Sequence, residues 1–289
     1  MAHTLQDRYG KLVDEKLRST LVTRDNTIFN NKYEGNPKAG KVKIPVRDTE
    51  VAVSAYNKAT GITATTGTTT YKDLAIDKDK AVNEIIDGYD AEAVPDKIVA
   101  ERIDSAGYSL ALQIDKDSID VLETTTGVNV NATKTAATSS TAYSLLVDAA
   151  TYLTRKGVPQ KDRWAIVSPE FYALILKDSN FIRQGDLSQK ILQSGAVGMI
   201  AGLAIYVSNN LMYENTELVS NKKTTTEFIA GHPNWCHRVM EWQKEVHIQS
   251  LDGSGKYIGA SAVQGRKVYG VLVSKPETVY IKRTEAATA

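Results

Sequence analysis

The sequence predicts an α+β chain in which a mixed helix-and-strand body carries an arm and a hairpin with little core of their own. Three observations predict it: one long amphipathic pattern over Asp96 to Glu123, a stretch over 54–70 almost without large apolar residues, and short helix and strand signals beyond residue 141.

At the N-terminus, Leu5, Tyr9, Leu12, Val13 and Leu17 recur at helical spacing among charged residues and predict a short amphipathic helix over 5–21. Residues 22–40 (VTRDNTIFNNKYEGNPKAG), rich in Asn, Gly and Pro, read as an extended arm lying on another surface. Lys41 to Val46 alternates as a strand, and Pro45, which lacks a backbone donor, places it at an edge or in an arm. Beyond the Thr/Gly-rich stretch, Tyr71 to Ile86 alternates again, with Leu74 and Ile76 out of phase with Asp73 and Asp77. Two polar-faced strands around a Thr/Gly tip describe a long projecting hairpin, which lacks a core and needs a neighbouring surface to order it.

The strongest helix follows. Ile98, Ile103, Ala106, Leu110, Ile114 and Val121 keep a drifting three-to-four period with acidic residues on the opposite face, and Pro95 suits the first turn. At 1.5 Å per residue it is about 40 Å long, enough to cross a domain. Residues 124–141 (TTTGVNVNATKTAATSST) form a low-complexity boundary. Tyr143, Leu146, Val147, Ala150 and Leu153 make an amphipathic helix that stops at Gly157, with Pro159 just beyond. Arg163 to Val167 reads as a buried strand, and Ser168 caps a helix through Leu176 with Pro169 in its first turn. Asp186 with Gln189 resembles a capping box for a short helix over 187–194. Gly195, Gly198 and Gly202 punctuate a turn before the strand LAIYVS (203–208), and FIAG, KEVHIQS, KVYGVLVS and ETVYIKR read as strands thereafter. No repeat of fixed period appears.

With 289 residues, 42% hydrophobic and 24% charged, the chain can bury a real core in one large domain or two ordinary ones. No apolar run approaches the roughly 18 residues needed to span a bilayer. The opening MAHTLQDR turns polar at once and predicts no signal peptide. Cys236 alone forms no intrachain disulfide, so a reducing compartment is acceptable. The net charge of +1 is a cancellation. Residues 1–47 hold ten Lys/Arg and five Asp/Glu, 48–123 hold seven and sixteen, and 124–289 hold eighteen and thirteen, giving +5, −9 and +5. Basic front and acidic middle can neutralise each other within a subunit or between copies, unless the clusters are simply solvated faces.

The chain advertises little chemistry. It has no GxxxxGK(S/T) phosphate loop, GxSxG elbow, HExxH pair or paired-cysteine metal spacing. His232, Cys236 and His237 in GHPNWCHR offer two imidazoles and a thiolate, but three ligands within six residues and no fourth in view are poor zinc geometry. A turn after a strand, with Cys236 packed as a small hydrophobe, is the better reading. Asp115, Asp117 and Asp120 lack the glycine and closing glutamate of a calcium loop and read as a solvated helix face. The glycines at 195, 198 and 202 precede a strand, the reverse of the order a nucleotide site needs, and Asp252-Gly253-Ser254-Gly255 is a surface turn. No acid, base and nucleophile converge, so no enzyme, cofactor or metal is predicted. Neither basic block interleaves aromatics, so base readout is not predicted. The chain does advertise reach: arm, hairpin and long helix expose surface that predicts an obligate multi-subunit assembly.

This order of elements resembles the major capsid protein of tailed bacteriophages, the Hong Kong ninety-seven fold. The resemblance is carried by the arm (1–40), an extended loop (41–87), and DKDKAVNEIIDGYDAEAVPDKIVAERIDSAGYSLALQIDKDSIDVL (77–122), where a strand leaves the loop and enters a spine helix. RWAIVSPEFYALILKD (163–178) and GAVGMIAGLAIYVSNNL (195–211) are similar to axial-domain segments, and KVYGVLVSKPETVYIK (267–282) resembles the closing strands. The resemblance implies a peripheral domain with the spine helix at 88–140, an axial domain at 141–230, and return strands at 231–289 completing both. It further implies hexamers and pentamers in an icosahedral shell, assembled in the host bacterial cytoplasm and forming the virion capsid around double-stranded DNA held without sequence specificity. Implied partners are other copies, a scaffolding protein separate from this chain or cleaved away, a portal and decoration proteins, with no membrane. Some members crosslink neighbours from an extended-loop lysine to an asparagine, helped by a glutamate. Lys58, the only lysine between Asp48 and Tyr71, is the loop-tip candidate, with no partner residue mapped. The alternatives are an encapsulin-like nanocompartment shell, which shares the fold and encloses enzymes, and a Thr-rich surface or fibre protein.

Overall fold

The computed structural model describes residues 16–24, 26–33, 40–47, 50–64, 66–67, 69–93, 98–132, 134–179, 198–211, 215–219, 222–253 and 255–285. Among them the strands form a two-stranded ribbon, a three-stranded sheet and a seven-stranded sheet.

The ribbon pairs β1 (Lys41–Val46) with β2 (Thr70–Ala75), antiparallel from Lys41 opposite Ala75 to Val46 opposite Thr70. Pro45 sits on this edge, where its missing donor costs no ladder bond. The alternating run after Tyr71 is two strands rather than one. Following β2, β3 (Lys78–Ile86) leaves the hairpin and pairs with β11 (Ser261–Val273), which also pairs with β10 (Cys236–Ser250) in the order β10-β11-β3. Burial explains the switch, because Val82 and Ile86 pack with Val263 and with Ala106 and Ile103 of the long helix. The hairpin root also has a small core that the sequence did not suggest, formed by Ile44, Leu74 and Val239. There β2 crosses β11 so closely that a Cβ on Gly270 would stand 2.2 Å from the Ala75 carbonyl oxygen and 2.6 Å from Leu74 Cδ2.

After the short α1 (Gly88–Ala93), α2 (Ile98–Thr124) fulfils the long-helix expectation. Its buried residues Ala106, Leu110, Ile114, Ile119 and Leu122 form the stripe that faces the body. Gly265 of β11 makes room for it, since a Cβ there would lie 3.1 Å from Leu110 Cδ1.

The seven-stranded sheet runs β4 (Asn129–Val130), β12 (Tyr280–Glu285), β9 (Lys222–Gly231), β5 (Trp164–Val167), β7 (Leu203–Val207) and β6 (Met199–Ile200), with β8 (Asn215–Val219) also on β9. The β4–β12 and β5–β7 pairs are parallel and the others antiparallel. α3 (Ala142–Arg155) and α4 (Pro169–Lys177) cover one face, where Leu146, Leu153, Phe171 and Ile175 meet Ala165, Val167, Ile205 and Phe228. Trp164, Ile166, Ile229 and Ile281 point the other way, into a second core shared with Ile114, Ile119, Leu122, Tyr269 and Val271. Both faces of β5 are therefore covered, and its sequence is continuously apolar.

Local signals hold where described. The Ser168 Oγ accepts from the Phe171 N–H at 3.2 Å, with Pro169 in the first turn. Arg163 closes α3, its guanidinium donating to the carbonyls of Ala150, Pro159 and Val158. Gly202 and Ala201 take positive φ in the two-residue β6–β7 turn. One expectation fails: residues 16–21, the end of the expected N-terminal helix, are irregular, and the Leu17 side chain is fully exposed. Their side chains engage α2 instead. The rest of that helix, Pro95, the 187–194 helix and Gly195 lie outside the described residues.

Candidate functional site

The arm runs along α2. Lys16 Nζ lies 2.5 Å from Glu101 Oε1, Arg18 pairs with Asp104 and stands 4.9 Å over the Tyr108 ring, and the Tyr108 hydroxyl donates to the Ser19 carbonyl at 3.1 Å. Three cations of the basic front thus pair with acids of the middle block within one subunit, the third being Lys41 with Asp73 at 2.7 Å. Guanidinium and ammonium neighbours hold the Asp104, Glu101 and Asp73 carboxyls below the usual carboxylate range.

Asp115 anchors the arm. Its Oδ1 accepts from the Val22 N–H at 3.1 Å and from the Thr23 N–H and Oγ1 at 2.8 Å each, while its Oδ2 accepts from Asn210 Nδ2 at 2.5 Å. It is 1% exposed, which corrects the solvated-face reading. Asp117 is also engaged, accepting from the Tyr269 hydroxyl at 2.7 Å and from Gln113 Nε2 at 2.8 Å. The missed signal was phase: Asp115 shares its helical face with the buried Ser118, Ile119 and Leu122. Beyond the anchor, Ile28 and Phe29 enter the second core. Asn30 forms a parallel bridge to β10, its N–H donating to the Cys236 carbonyl at 2.8 Å and its carbonyl accepting from the Arg238 N–H at 3.0 Å.

The His/Cys cluster serves this tie. Because Asn30 Nδ2 donates to the Pro233 carbonyl, its Oδ1 faces His237 Nδ1 as an acceptor at 2.9 Å, and His237 Nε2 lies 3.0 Å from the Ser274 hydroxyl. Burial, with the Lys32 charge adding to it, pushes the His237 pKa down to about 4. His232 accepts from the Asn234 N–H at 3.1 Å and stands 3.0 Å from the Lys161 carbonyl. Cys236 is fully buried in the second core, where burial pushes its thiol up to about 12. All three side chains are committed to the fold.

A further buried titratable group is Glu123, near the end of α2. Burial pushes its pKa up to about 7 against the opposing influence of Thr226 and Arg283, with Asp120 adding to the rise. The Arg283 guanidinium donates to the Glu123 carbonyl at 2.6 Å.

The hairpin tip contrasts with the arm. Lys58 lies exposed in the Asn57–Gly61 turn, closed by the Gly61 N–H to the Asn57 carbonyl at 2.8 Å. Around it Val51, Val53, Tyr56 and Ile62 are 85%, 99%, 71% and 53% exposed.

A family model described as phage capsid protein matches residues 85–281. A search of curated proteins finds no match. Among solved structures, the chain is similar to one from Mycobacterium phage Che8, with TM-score 0.74 and 22% identity over 96% of each chain. It is similar to the capsid structure of the cyanophage P-SCSP1u, with TM-score 0.76 and 16% identity over 98% of this chain and 93% of that one. A Gordonia phage Cozz structure gives TM-score 0.69 and 12% identity over 99% and 92%. The shared architecture is the Hong Kong ninety-seven fold.

Proposed function

This chain belongs to the phage capsid protein family and is a structural major capsid protein; from that premise we propose that its copies assemble as hexamers and pentamers into an icosahedral shell around double-stranded DNA. The hairpin carries the reading. It leaves the body on two strands, is rooted by Ile44 and Leu74 against Val239, and presents Val51, Val53, Tyr56 and Ile62 to solvent. A neighbouring subunit is the surface that covers them. Residues 16–30 use their anchoring contacts inside their own subunit, so reach between copies falls to the hairpin. The role is structural and non-catalytic, in the virion capsid, with assembly in the host bacterial cytoplasm aided by a scaffolding protein, a portal and decoration proteins. The chain divides as arm 1–40, extended loop 41–87, peripheral domain 88–140, axial domain 141–230 and return strands 231–289. Lys58, exposed at the tip, is the crosslinking candidate. The family match favours a DNA-filled shell over an encapsulin-like compartment.

Negative-stain microscopy of the expressed chain, with and without a scaffold, tests this. Shells, hexamer sheets or tubes are expected, and a dispersed monomer under all conditions overturns it. Denaturing gels of mature particles test Lys58, and monomer alone would remove the crosslink.

A further inference from the structure

The β1–β2 ribbon is a sheet of its own, with no ladder to the body among the described residues. Two strands are marginal by themselves, so the side chains beneath the ribbon set its direction. Ile44 and Leu74 are the ribbon's share of that small core, and Val239 and Leu272 are the share of β10 and β11. Its one aromatic belongs to neither: Tyr33, on the arm, packs against the same cluster. The Tyr33 ring meets the His237 ring edge-on, with centroids 5.3 Å apart at 74°. His237 Nδ1 is 2.9 Å from Asn30 Oδ1, and Lys32 Nζ donates to Asn234 Oδ1 at 3.1 Å. The arm's tie to β10 and the ribbon's core thus share one imidazole. Next to Tyr33 a cavity of about 180 Å³ lies between Ile44, Pro45 and Val46 on the ribbon and Trp235, His237 and Ser274 on the body. The ribbon is therefore not packed solid against the body, and a change at its root has room to become a change of angle.

We propose that Tyr33 is a positioning residue through which the docked arm holds the hairpin at one angle to the body. With the arm seated on β10, the Tyr33 ring stands between His237 and the ribbon. With the arm unseated, that support leaves and the ribbon pivots on Ile44 and Leu74 over the cavity. The inference rests on the reading that the hairpin is the part that reaches a neighbour, and it adds what controls where the hairpin points. A hairpin held at one angle meets its neighbour with less orientational freedom left to lose, so a seated arm makes the subunit competent for that contact.

The test places nitroxide spin labels at Lys58→Cys on the tip and Thr151→Cys on α3, both exposed positions, and reads their distance distribution by pulsed electron resonance. The labelled full chain is diluted into excess unlabelled chain, so the distance is read within one subunit. Cys236 is buried and takes no label. Tyr33→Ala should widen the distribution about twofold, and Asn30→Ala, which acts on the arm's tie rather than on the ribbon, should do the same. Tyr33→Phe keeps the ring and should keep the narrow parent distribution. Amide exchange of α3 and β5 is the control for folding, and Tyr33→Val takes the place of Tyr33→Ala if that variant does not fold. A distribution unchanged by loss of the ring overturns the proposal. Widening by Tyr33→Ala with Asn30→Ala unchanged also overturns it, because the ring would then act without the arm. Neither result bears on whether shells form, and a failure of the shell reading leaves these distances as they are.

Discussion

Asp115 on the long helix takes both the backbone N–H and the hydroxyl of Thr23 on one carboxylate oxygen, at 2.8 Å each, across 92 residues of sequence. The contact is buried, and it fixes the arm to its own subunit.

Asp115→Ala removes the acceptor for two backbone donors and a hydroxyl and should cost about 3 kcal/mol, since each hydrogen bond to a charged group contributes roughly 1.5–3 kcal/mol. Asp115→Asn, which keeps an acceptor oxygen, should cost less. Denaturant melts give the stability, and limited proteolysis within residues 16–24 should accelerate in the alanine variant first. Unchanged cleavage there would show that the arm is held by something else.

Two buried groups titrate with opposite sign. His237 has a folded pKa near 4 against an ordinary 6.5, so its stabilising share is full above 6.5 and is lost as pH falls toward 4. Glu123 has a folded pKa near 7 against an ordinary 4.5, so its share is full below 4.5 and is lost as pH rises through 7. Each shift corresponds to about 3 kcal/mol, and between pH 4.5 and 6.5 the two slopes oppose. Stability of the unaltered chain should vary little in that window from these groups. Glu123→Gln should expose a stability that rises with pH, and His237→Gln one that falls. Parallel pH profiles for the two variants would show that other groups dominate.

Gly231 faces the buried Trp164, whose Cζ2 would lie 2.7 Å from an added Cβ. Gly231→Ala should therefore destabilise by about 2 kcal/mol through overpacking. Trp164→Phe removes the nearest ring atoms and an indole N–H with no acceptor among the described residues. The double variant should recover part of the loss, a coupling that a thermodynamic cycle measures directly. Additive losses would mean the strain is relieved elsewhere.

Rising salt should loosen Lys16–Glu101 and Arg18–Asp104, which are solvent-screened, while leaving the Asp115 anchor in place. Proteolysis near residue 16 should respond to salt more than proteolysis near residue 23. Equal salt response at both ends would mean the anchor is itself screened.

Periodic elements were legible. The helix over Ile98–Thr124, the covered strand Trp164–Val167 and the Ser168 cap follow from spacing and local chemistry that neighbours reinforce. The hairpin's second strand was not, because alternation over 71–86 is the same whether the strand pairs with β1 or β11. Its partner is chosen by Val263 and Ala106, far along the chain. Residues 16–21 depart from the helical reading for the complementary reason: their spacing competes with the ion pairs of Lys16 and Arg18 to α2, which no local window contains. Asp115 was misread because residue type outweighed helical phase.

The approach of β2 to Gly270 makes the hairpin a lever. Any side chain at position 270 must push the Ala75 carbonyl away by about 1 Å to reach ordinary contact, while the other end of the ribbon is held by Lys275 Nζ donating to the Arg47 carbonyl at 3.2 Å. A small displacement at the fulcrum becomes a larger sweep where Val53 and Lys58 sit. Position 270 thereby governs the aim of the hairpin, and it can change where the tip lands on a neighbour without touching a residue of the tip.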